Sequence, residues 1–309
     1  MFTDPILLLT YKRPKTTRII LKKILSINPK RIYVFQDGPK KKFTETDKTL
    51  YIKTSNLIKK AQTNNKKNTI IFKRFKYNVG QKFIAKKILD VVFKKEKKII
   101  FLEDDTYPDK SFFYFCSQML KKFEYDKDIY HISGCNLFYG VYKKKINKQK
   151  IFLSKYPQFW GWATWKNKWN RYYRPEIKDW KKNKKKFLKE RVIDPDEYRF
   201  FDFYISKNSE GKHIGWDIPW IYKLILMNKK TILPQKNLIK NIGFNFDPSG
   251  KGARKFRNLK ISSFKYTENI NANIFDNIEN DKYLRSSFYH RKNIFVLIIK
   301  KFQKIIKNF

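Results

Sequence analysis

The sequence predicts an α/β protein with a mostly parallel central sheet that carries helices on both faces. Over the first hundred residues, short apolar runs alternate with longer amphipathic runs. Repeated strand, helix, strand crossovers of this kind build parallel sheets. Polar clusters follow several of the predicted strands, at the carboxyl ends where such sheets bind ligands. With 41% apolar and 17% aromatic residues, the chain is hydrophobic enough to fold despite its charge.

Each element is predicted from its local pattern. The first strand is a continuous apolar run, and the helix after it has Ile20, Ile24 and Ile27 at helical spacing. A turn cluster of Gln, Asp, Gly and Pro at 36–39 ends the second strand. The predicted strands are Ile6–Thr10, Arg31–Phe35, Thr69–Phe75 and Lys98–Leu102. The predicted helices are Thr16–Ile27, Thr46–Gln62 and Gln81–Phe93.

The net charge is +44, from 71 Lys and Arg against 27 Asp and Glu, which excludes an acidic solvating protein. The basic residues are scattered from Lys12 to Lys307, and Lys, Asn, Ile, Phe and Tyr dominate the composition. This is the pattern of A/T-rich codon usage, so we interpret most of the charge as background. A non-catalytic basic protein that binds nucleic acid is the alternative hypothesis, although no nucleic-acid partner is expected.

The sequence also bears on location. Cys116 and Cys135 are too few for a disulfide framework, and the first residues lack the pattern of a signal peptide. No run of about 18 apolar residues is present to span a bilayer. We therefore expect a cytoplasmic protein that can still lie against the inner face of the membrane.

The acidic run Glu103, Asp104 and Asp105 is the sharpest candidate for chemistry. Three carboxylates that end an apolar strand repel one another, and such oxygen ligands suit Mg²⁺ or Mn²⁺. A solvated acidic turn is the other explanation. No glycine-rich phosphate loop follows the first strand, which disfavours a dehydrogenase or an ATPase. Arg13 and Asp37 follow the first and second strands and should converge on the same sheet edge.

The order of these segments resembles the GT-A class of nucleotide-sugar glycosyltransferases, and within it the N-acetylglucosaminyltransferase I type. The donor-side segments that carry the resemblance are Thr10–Pro14, Phe35–Gly38, Tyr77–Gln81 and Leu102–Asp105. Two later segments, Phe159–Trp165 and His213–Trp220, are similar to the family's Gly-Trp segment and to the segment that holds its catalytic base.

The resemblance implies an inverting hexosyl- or N-acetylhexosaminyltransferase that uses a nucleotide-diphosphate sugar, with UDP as the favoured nucleotide. It implies Asp217 as the catalytic base, and Asp105 as the ligand of Mn²⁺ or Mg²⁺ with support from Asp104. The implied donor-binding residues are Thr10, Arg13, Asp37, Gln81, Glu103, Asp104 and Trp162. The acceptor is expected to be a glycan or a lipid-linked sugar.

Structural explanations compete with several of these roles. Trp162, Trp165 and Trp169 have helical spacing and can form one buried face, although Trp160 or Trp162 is expected to contact donor or acceptor. His131 and His213 are predicted to be structural. Asp217 can cap a helix as well as act as a base.

The resemblance divides the chain into a catalytic domain at 1–255, with a nucleotide-sugar half at 1–135 and an acceptor half at 136–255, and a tail at 256–309. A basic, glycine-containing loop at Ser249–Arg254 either folds over a pyrophosphate or leads to the tail. The segment Asn293–Phe309 has an apolar face and a lysine face as a helix, so it either contacts a membrane surface or docks on the domain.

Overall fold

The protein was examined as a computed structural model, which describes residues 1–65, 67–137, 151–212, 215–245, 259–263, 275–276 and 278–287. Its centre is a nine-stranded sheet, accompanied by a two-stranded ribbon. The strands are β1 Ile6–Thr10, β2 Arg31–Gln36, β3 Thr69–Arg74, β4 Lys98–Glu103, β5 Thr106–Pro108, β6 Ile129–Ser133, β7 Ile151–Ser154, β8 Trp162–Trp165, β9 Lys230–Pro234, β10 Ile239–Asn241 and β11 Phe275–Asp276. The helices are α1 Pro14–Leu25, α2 Glu45–Asn64, α3 Gly80–Val92, α4 Lys110–Lys122, α5 Lys166–Tyr172, α6 Trp180–Glu190, α7 Pro195–Ser209, α8 Asp217–Leu226 and α9 Ile278–Ser287.

The sheet runs in the order β11-β7-β9-β6-β8-β4-β1-β2-β3. Strands β4, β1, β2 and β3 are mutually parallel, and β6 and β9 are parallel to each other. Strand β8 lies between β4 and β6 and is antiparallel to both. The predicted mostly parallel α/β sheet is therefore confirmed.

Successive residues of the central strands enter two different cores, one on each face of the sheet. Leu8 packs in the core that contains α1 and α4 residues, whereas its neighbour Leu7 packs in the core that contains α3 residues. Val34 and Phe35 divide in the same way. This alternation follows from the two-residue period of a strand, and it places helices on both faces as predicted.

The predicted elements of the first hundred residues are all present, with small changes at their ends. Helix α1 begins at Pro14, where proline's fixed φ favours the first helical position. Strand β2 extends to Gln36, whose backbone pairs with Thr10 of β1 and Arg74 of β3. Its side chain is held by Tyr11, Tyr51 and Ser55. These hydrogen bonds tie the end of β2 to the loop after β1 and to α2.

The helical interpretation of the tryptophan-rich segment is wrong for its first half. Trp162–Trp165 forms β8, and only the following residues form α5. Gly161 turns the chain into β8 with a φ of +66°, and a side chain there would collide with Ile239. Strand pairing with β4 and β6 outweighs the helical spacing of the tryptophans.

The described parts of the predicted tail contact the domain. Strand β11 pairs with β7 at the edge of the sheet, and Asp281 of α9 accepts hydrogen bonds from Ser154 and the Lys155 amide. The Ser249–Arg254 loop, His213 and the Asn293–Phe309 helix lie outside the described residues. Among the helices that are described, none has the length and apolar character that crossing a bilayer requires.

Candidate active site

A cavity of about 890 Å³ opens at the carboxyl ends of β1, β2 and β4. It lies where a parallel sheet is expected to bind its ligand. Seven of the predicted site residues line it: Thr10, Arg13, Asp37, Gln81, Glu103, Asp104 and Asp217. The structure therefore brings most of the predicted site together, including residues that are far apart in sequence.

The loop after β1 is anchored on Asp104. This carboxylate is 5% exposed and accepts hydrogen bonds from Thr10 Oγ1 at 2.9 Å and from the Tyr11 amide at 3.2 Å. The Arg13 guanidinium bridges Asp104 Oδ1 at 3.2 Å and Asp105 Oδ2 at 2.8 Å. Thr10 and Asp104 thus have structural roles in addition to lining the cavity.

Burial and neighbouring carboxylate charges raise the pKa values of Glu103 and Asp104. Burial raises the pKa of Glu103 to about 8, and the charges of Asp105 and Asp104 contribute to this increase. A hydrogen bond from Trp216 acts in the opposite direction. Burial and the charge of Asp105 also raise the pKa of Asp104 to about 6, while Arg13 opposes the shift. The cluster is short of positive charge, which is the condition that favours a divalent cation.

Asp105 has one oxygen available to a cation. Its Oδ1 is buried and has no hydrogen-bond partner among the described residues, while Oδ2 is held by Arg13. Asp105 lies beside the cavity and is not among the residues of its wall. Gly243 packs against it, since a Cβ added to Gly243 would come within 2.7 Å of Asp105 Oδ2. The residues that the structure describes contain no group of three or more His, Cys, Asp or Glu arranged for a metal. The pair Asp104 and Asp105 fits the Mg²⁺ type of site, in which carboxylates supply few ligands and substrate phosphates supply others.

Asp37 is positioned differently from its predicted role. Its two carboxylate oxygens accept hydrogen bonds from the Gly38, Val79 and Gly80 amides and from Asn78 Nδ2, at 2.7 to 3.1 Å. These four donors occupy the carboxylate, so Asp37 positions the 78–80 loop and has no free oxygen for a nucleoside. Gly38 permits this contact, because a Cβ there would lie 2.3 Å from the Tyr77 backbone.

Asp217 is the first residue of α8, and its half-buried carboxylate faces the cavity. Burial raises its pKa, while hydrogen bonds from its own amide and that of Ile218 act in the opposite direction. The cap position itself is Trp216, without a side-chain capping hydrogen bond, so Asp217 is not the predicted N-cap and lies one residue inside the helix. Gly215 lies against this carboxylate, since a Cβ there would be 2.3 Å from Oδ1.

Trp162 is a correction to the predicted donor contacts. It is fully buried, does not line the cavity, and stacks on His131 at 5.2 Å and Trp216 at 5.4 Å between ring centroids. Trp216 also stacks on Phe101 and reaches Glu103, so this aromatic core supports the acidic wall from behind. Trp160 is the tryptophan of the segment that lines the cavity.

His131 is structural, as predicted. Its Nδ1 accepts from Trp220 Nε1 at 3.3 Å, so Nε2 carries the hydrogen donated to the Gln158 carbonyl at 3.0 Å. Burial lowers its pKa to about 3, and the ring is neutral at physiological pH.

A second cavity, of about 560 Å³, lies beside the first and was not predicted from the sequence. Its walls come mainly from loops and helices between Pro157 and Ile221, together with Gln81 of α3, the 135–137 segment and Leu284 of α9. The residues that line both cavities are Gln81, Phe159, Trp160, Gly215 and Asp217. No repeated pattern marks these residues in the sequence, because distant segments assemble the cavity.

Comparison with known proteins returned matches among solved structures only; no protein-family model and no curated protein matches the sequence. The chain is similar to the mannosyltransferase PcManGT from Pyrobaculum calidifontis, solved with GDP-Man and Mn²⁺, at 10% identity and a TM-score of 0.42. This match covers 73% of the chain and 68% of the mannosyltransferase.

Two further solved structures match at similar levels. Mouse xyloside xylosyltransferase 1 is 11% identical over 73% of this chain and 82% of its own, with a TM-score of 0.37. S. aureus TarS is 13% identical over 77% of this chain and 59% of its own, with a TM-score of 0.40. Nucleotide-binding enzymes such as a UDP-glucose pyrophosphorylase also match. The narrower resemblance to the N-acetylglucosaminyltransferase I type stays a prediction.

Proposed function

We propose that this protein is a metal-dependent inverting glycosyltransferase that moves a sugar from a nucleotide-diphosphate donor, favoured to be a UDP-sugar, to an acceptor hydroxyl. One observation carries the proposal. A single cavity at the carboxyl ends of β1, β2 and β4 has the acidic cluster on one wall and the partly buried carboxylate of Asp217 on another.

The donor end of the cavity suits a diphosphate. Arg13 and Lys12 line it on the loop after β1, and Arg13 already bridges two carboxylates. A diphosphate offers the guanidinium an alternative bidentate partner. Asp105, with support from Asp104, would hold Mn²⁺ or Mg²⁺, which would supply positive charge to stabilise the leaving nucleoside diphosphate.

Asp217 is proposed as the general base. Its burial raises its pKa, which makes the ionised carboxylate a stronger proton acceptor than a solvated aspartate. It would accept the proton of the acceptor hydroxyl while that oxygen attacks the anomeric carbon and the bond to the phosphate breaks. A single displacement of this kind inverts the configuration of the transferred sugar.

The proposal includes a glycan or lipid-linked acceptor and a hexosyl or N-acetylhexosaminyl donor sugar. It also places the enzyme in the cytoplasm, with the 293–309 segment as a contact to the inner membrane face. A membrane position suits a lipid-linked acceptor, because donor and acceptor then meet at one surface.

The test is nucleotide release from a panel of UDP-, GDP- and CMP-sugars, with and without added Mn²⁺ or Mg²⁺. We expect one donor class to be turned over only with metal. Asp105→Ala should lower release about 10³-fold or more, since the cation loses its direct ligand. Asp217→Asn should lower transfer about 10²-fold or more and leave donor affinity unchanged. Asp90→Ala, an exposed carboxylate on α3 paired with Lys86, is the control.

Two results would overturn the proposal. Metal-dependent transfer that survives both Asp105→Ala and Asp217→Asn would show that the site is wrongly assigned. Salt-sensitive binding to DNA or RNA, together with no release from any donor sugar, would support the nucleic-acid-binding alternative.

A further inference from the structure

The second cavity meets the proposed donor cavity at Asp217 and has mostly apolar walls. Phe200 and Tyr204 lie one turn apart on α7, with ring centroids separated by 4.6 Å. Trp160 stands at the boundary between the cavities and is half-buried. An aromatic compartment therefore opens directly beside the proposed base.

One buried amide interrupts these apolar walls. Gln158 is 5% exposed, and its Nε2 has no hydrogen-bond partner within the described part of the chain. Its Oε1 accepts from the Leu137 amide at 3.4 Å, and its backbone carbonyl is held by His131 Nε2 and Ser133 Oγ. The main chain is thus fixed while a pair of N–H groups stays unpaired, and a buried unpaired donor is an unfavourable arrangement.

We infer that this second cavity is an acceptor subsite for a pyranoside ring, and that Gln158 Nε2 donates a hydrogen bond to an oxygen of that ring. The inference rests on the proposed function. A pyranose has an apolar C–H face that packs on an indole such as Trp160, and polar edges that require donors. Gln158 is then a residue that determines which acceptor oxygen is recognised.

Other occupants fit the cavity less well. A hydrocarbon chain would fill the aromatic walls but leave the Gln158 amide without an acceptor. A second nucleotide or phosphate would need cations, and no Lys or Arg is found among the described residues that line this cavity. A pyranoside satisfies both the aromatic walls and the amide.

The position of the second cavity would bring a bound acceptor next to the proposed base. Asp217 and Gly215 line both cavities, so an acceptor ring in the second cavity presents its edge to the base. Gln158 lies on the acceptor side only. Its loss should therefore weaken acceptor binding without changing how the donor is bound.

The test measures binding of methyl glucoside, galactoside, mannoside and N-acetylglucosaminide by saturation-transfer NMR, in the presence of UDP and Mn²⁺. Donor hydrolysis in water is measured in parallel. Gln158→Leu should weaken binding of the preferred pyranoside roughly tenfold. Gln158→Glu should weaken it as much, because it keeps the acceptor for the Leu137 amide and loses the donor. Gln118→Leu removes another glutamine with an unpaired side-chain atom, on α4 outside both cavities, and should have no effect.

Several outcomes decide the matter. A purely structural Gln158 predicts that Gln158→Glu behaves as wild type, which would overturn the inference. Binding of octyl phosphate but of no pyranoside would also overturn it, in favour of a lipid chain. Pyranoside binding that depends on Gln158, with no donor hydrolysed, would support the subsite and contradict the proposed transfer reaction.

Discussion

The donor side of the proposed cleft and the aromatic core behind it are held in place by different interactions. On the donor side, polar side chains at strand ends are fixed by hydrogen bonds, as Asp37 is by the 78–80 loop and Asp104 by Thr10. In the aromatic core, stacked rings around Trp162 fix the positions of Trp216 and the start of α8. The donor side should respond to loss of a single acceptor atom, and the aromatic core to loss of side-chain volume.

The largest expected effect is in the aromatic core. Trp162→Ala should lower the free energy of unfolding by about 3–5 kcal/mol, because it empties a fully buried space between β4, β6 and α8. Urea denaturation measures the change. Trp160→Ala, at a half-buried position, should cost clearly less, and equal losses would contradict the distinction between the two tryptophans.

On the donor side, Asp37→Ala should lower the free energy of unfolding by about 1–3 kcal/mol. The cause is the loss of the common acceptor for three backbone amides and Asn78. Urea denaturation measures the lower free energy of unfolding, and hydrogen exchange of the 78–80 amides measures the loss of their protection. Unchanged exchange in this loop would show that Asp37 does not position it.

Gly215→Ala changes a residue that lines both cavities. Its new Cβ would lie 2.3 Å from Asp217 Oδ1, so the carboxylate must move. We expect kcat for transfer to fall roughly tenfold or more, with the donor KM unchanged. In a background that already carries Asp217→Asn, Gly215→Ala should lower kcat little further. A second fall in kcat of the same size would mean that Gly215 acts independently of Asp217.

The smallest expected effect concerns pH. Burial lowers the pKa of His131 from 6.5 to about 3, so the unfolded chain takes up a proton that the folded chain does not. The stabilising contribution of the neutral ring is complete above the unfolded pKa and is lost as the pH falls towards the folded pKa. Wild type should lose at most about 1.4 kcal/mol per pH unit from this residue. Denaturation at about pH 7.5 and about pH 5 should show a shallower slope for His131→Gln.

The same contrast explains what the sequence could predict. Strands β1 to β4 and their helices have clear local periods, and their carboxyl ends meet by topology alone, so Arg13, Asp37 and Asp104 were predicted to lie at one site. Strand β8 could not be predicted in this way, because its neighbours are β4 and β6, and the helical spacing of Trp162 and Trp165 was misleading.

Individual roles were harder to predict than positions. Asp37 lies at the predicted edge, but its oxygens are satisfied by backbone amides that no spacing rule identifies. Gln158 carries no motif, and only its burial beside an aromatic wall makes it conspicuous. Both depend on contacts between segments that are distant in sequence.

The β5–β10 ribbon has a consequence for the order in which the molecule is completed on the ribosome. Strand β5 follows the acidic cluster directly, but its partner β10 is made late, and the Ile242 amide holds the Asp105 carbonyl at 2.7 Å. Strands β1 to β4 can pair as soon as they emerge, whereas Asp105 gains its final neighbours only after β10 is translated. A nascent chain that stops before β10 would therefore contain a folded sheet edge in which Asp105 still lacks its β10-side neighbours.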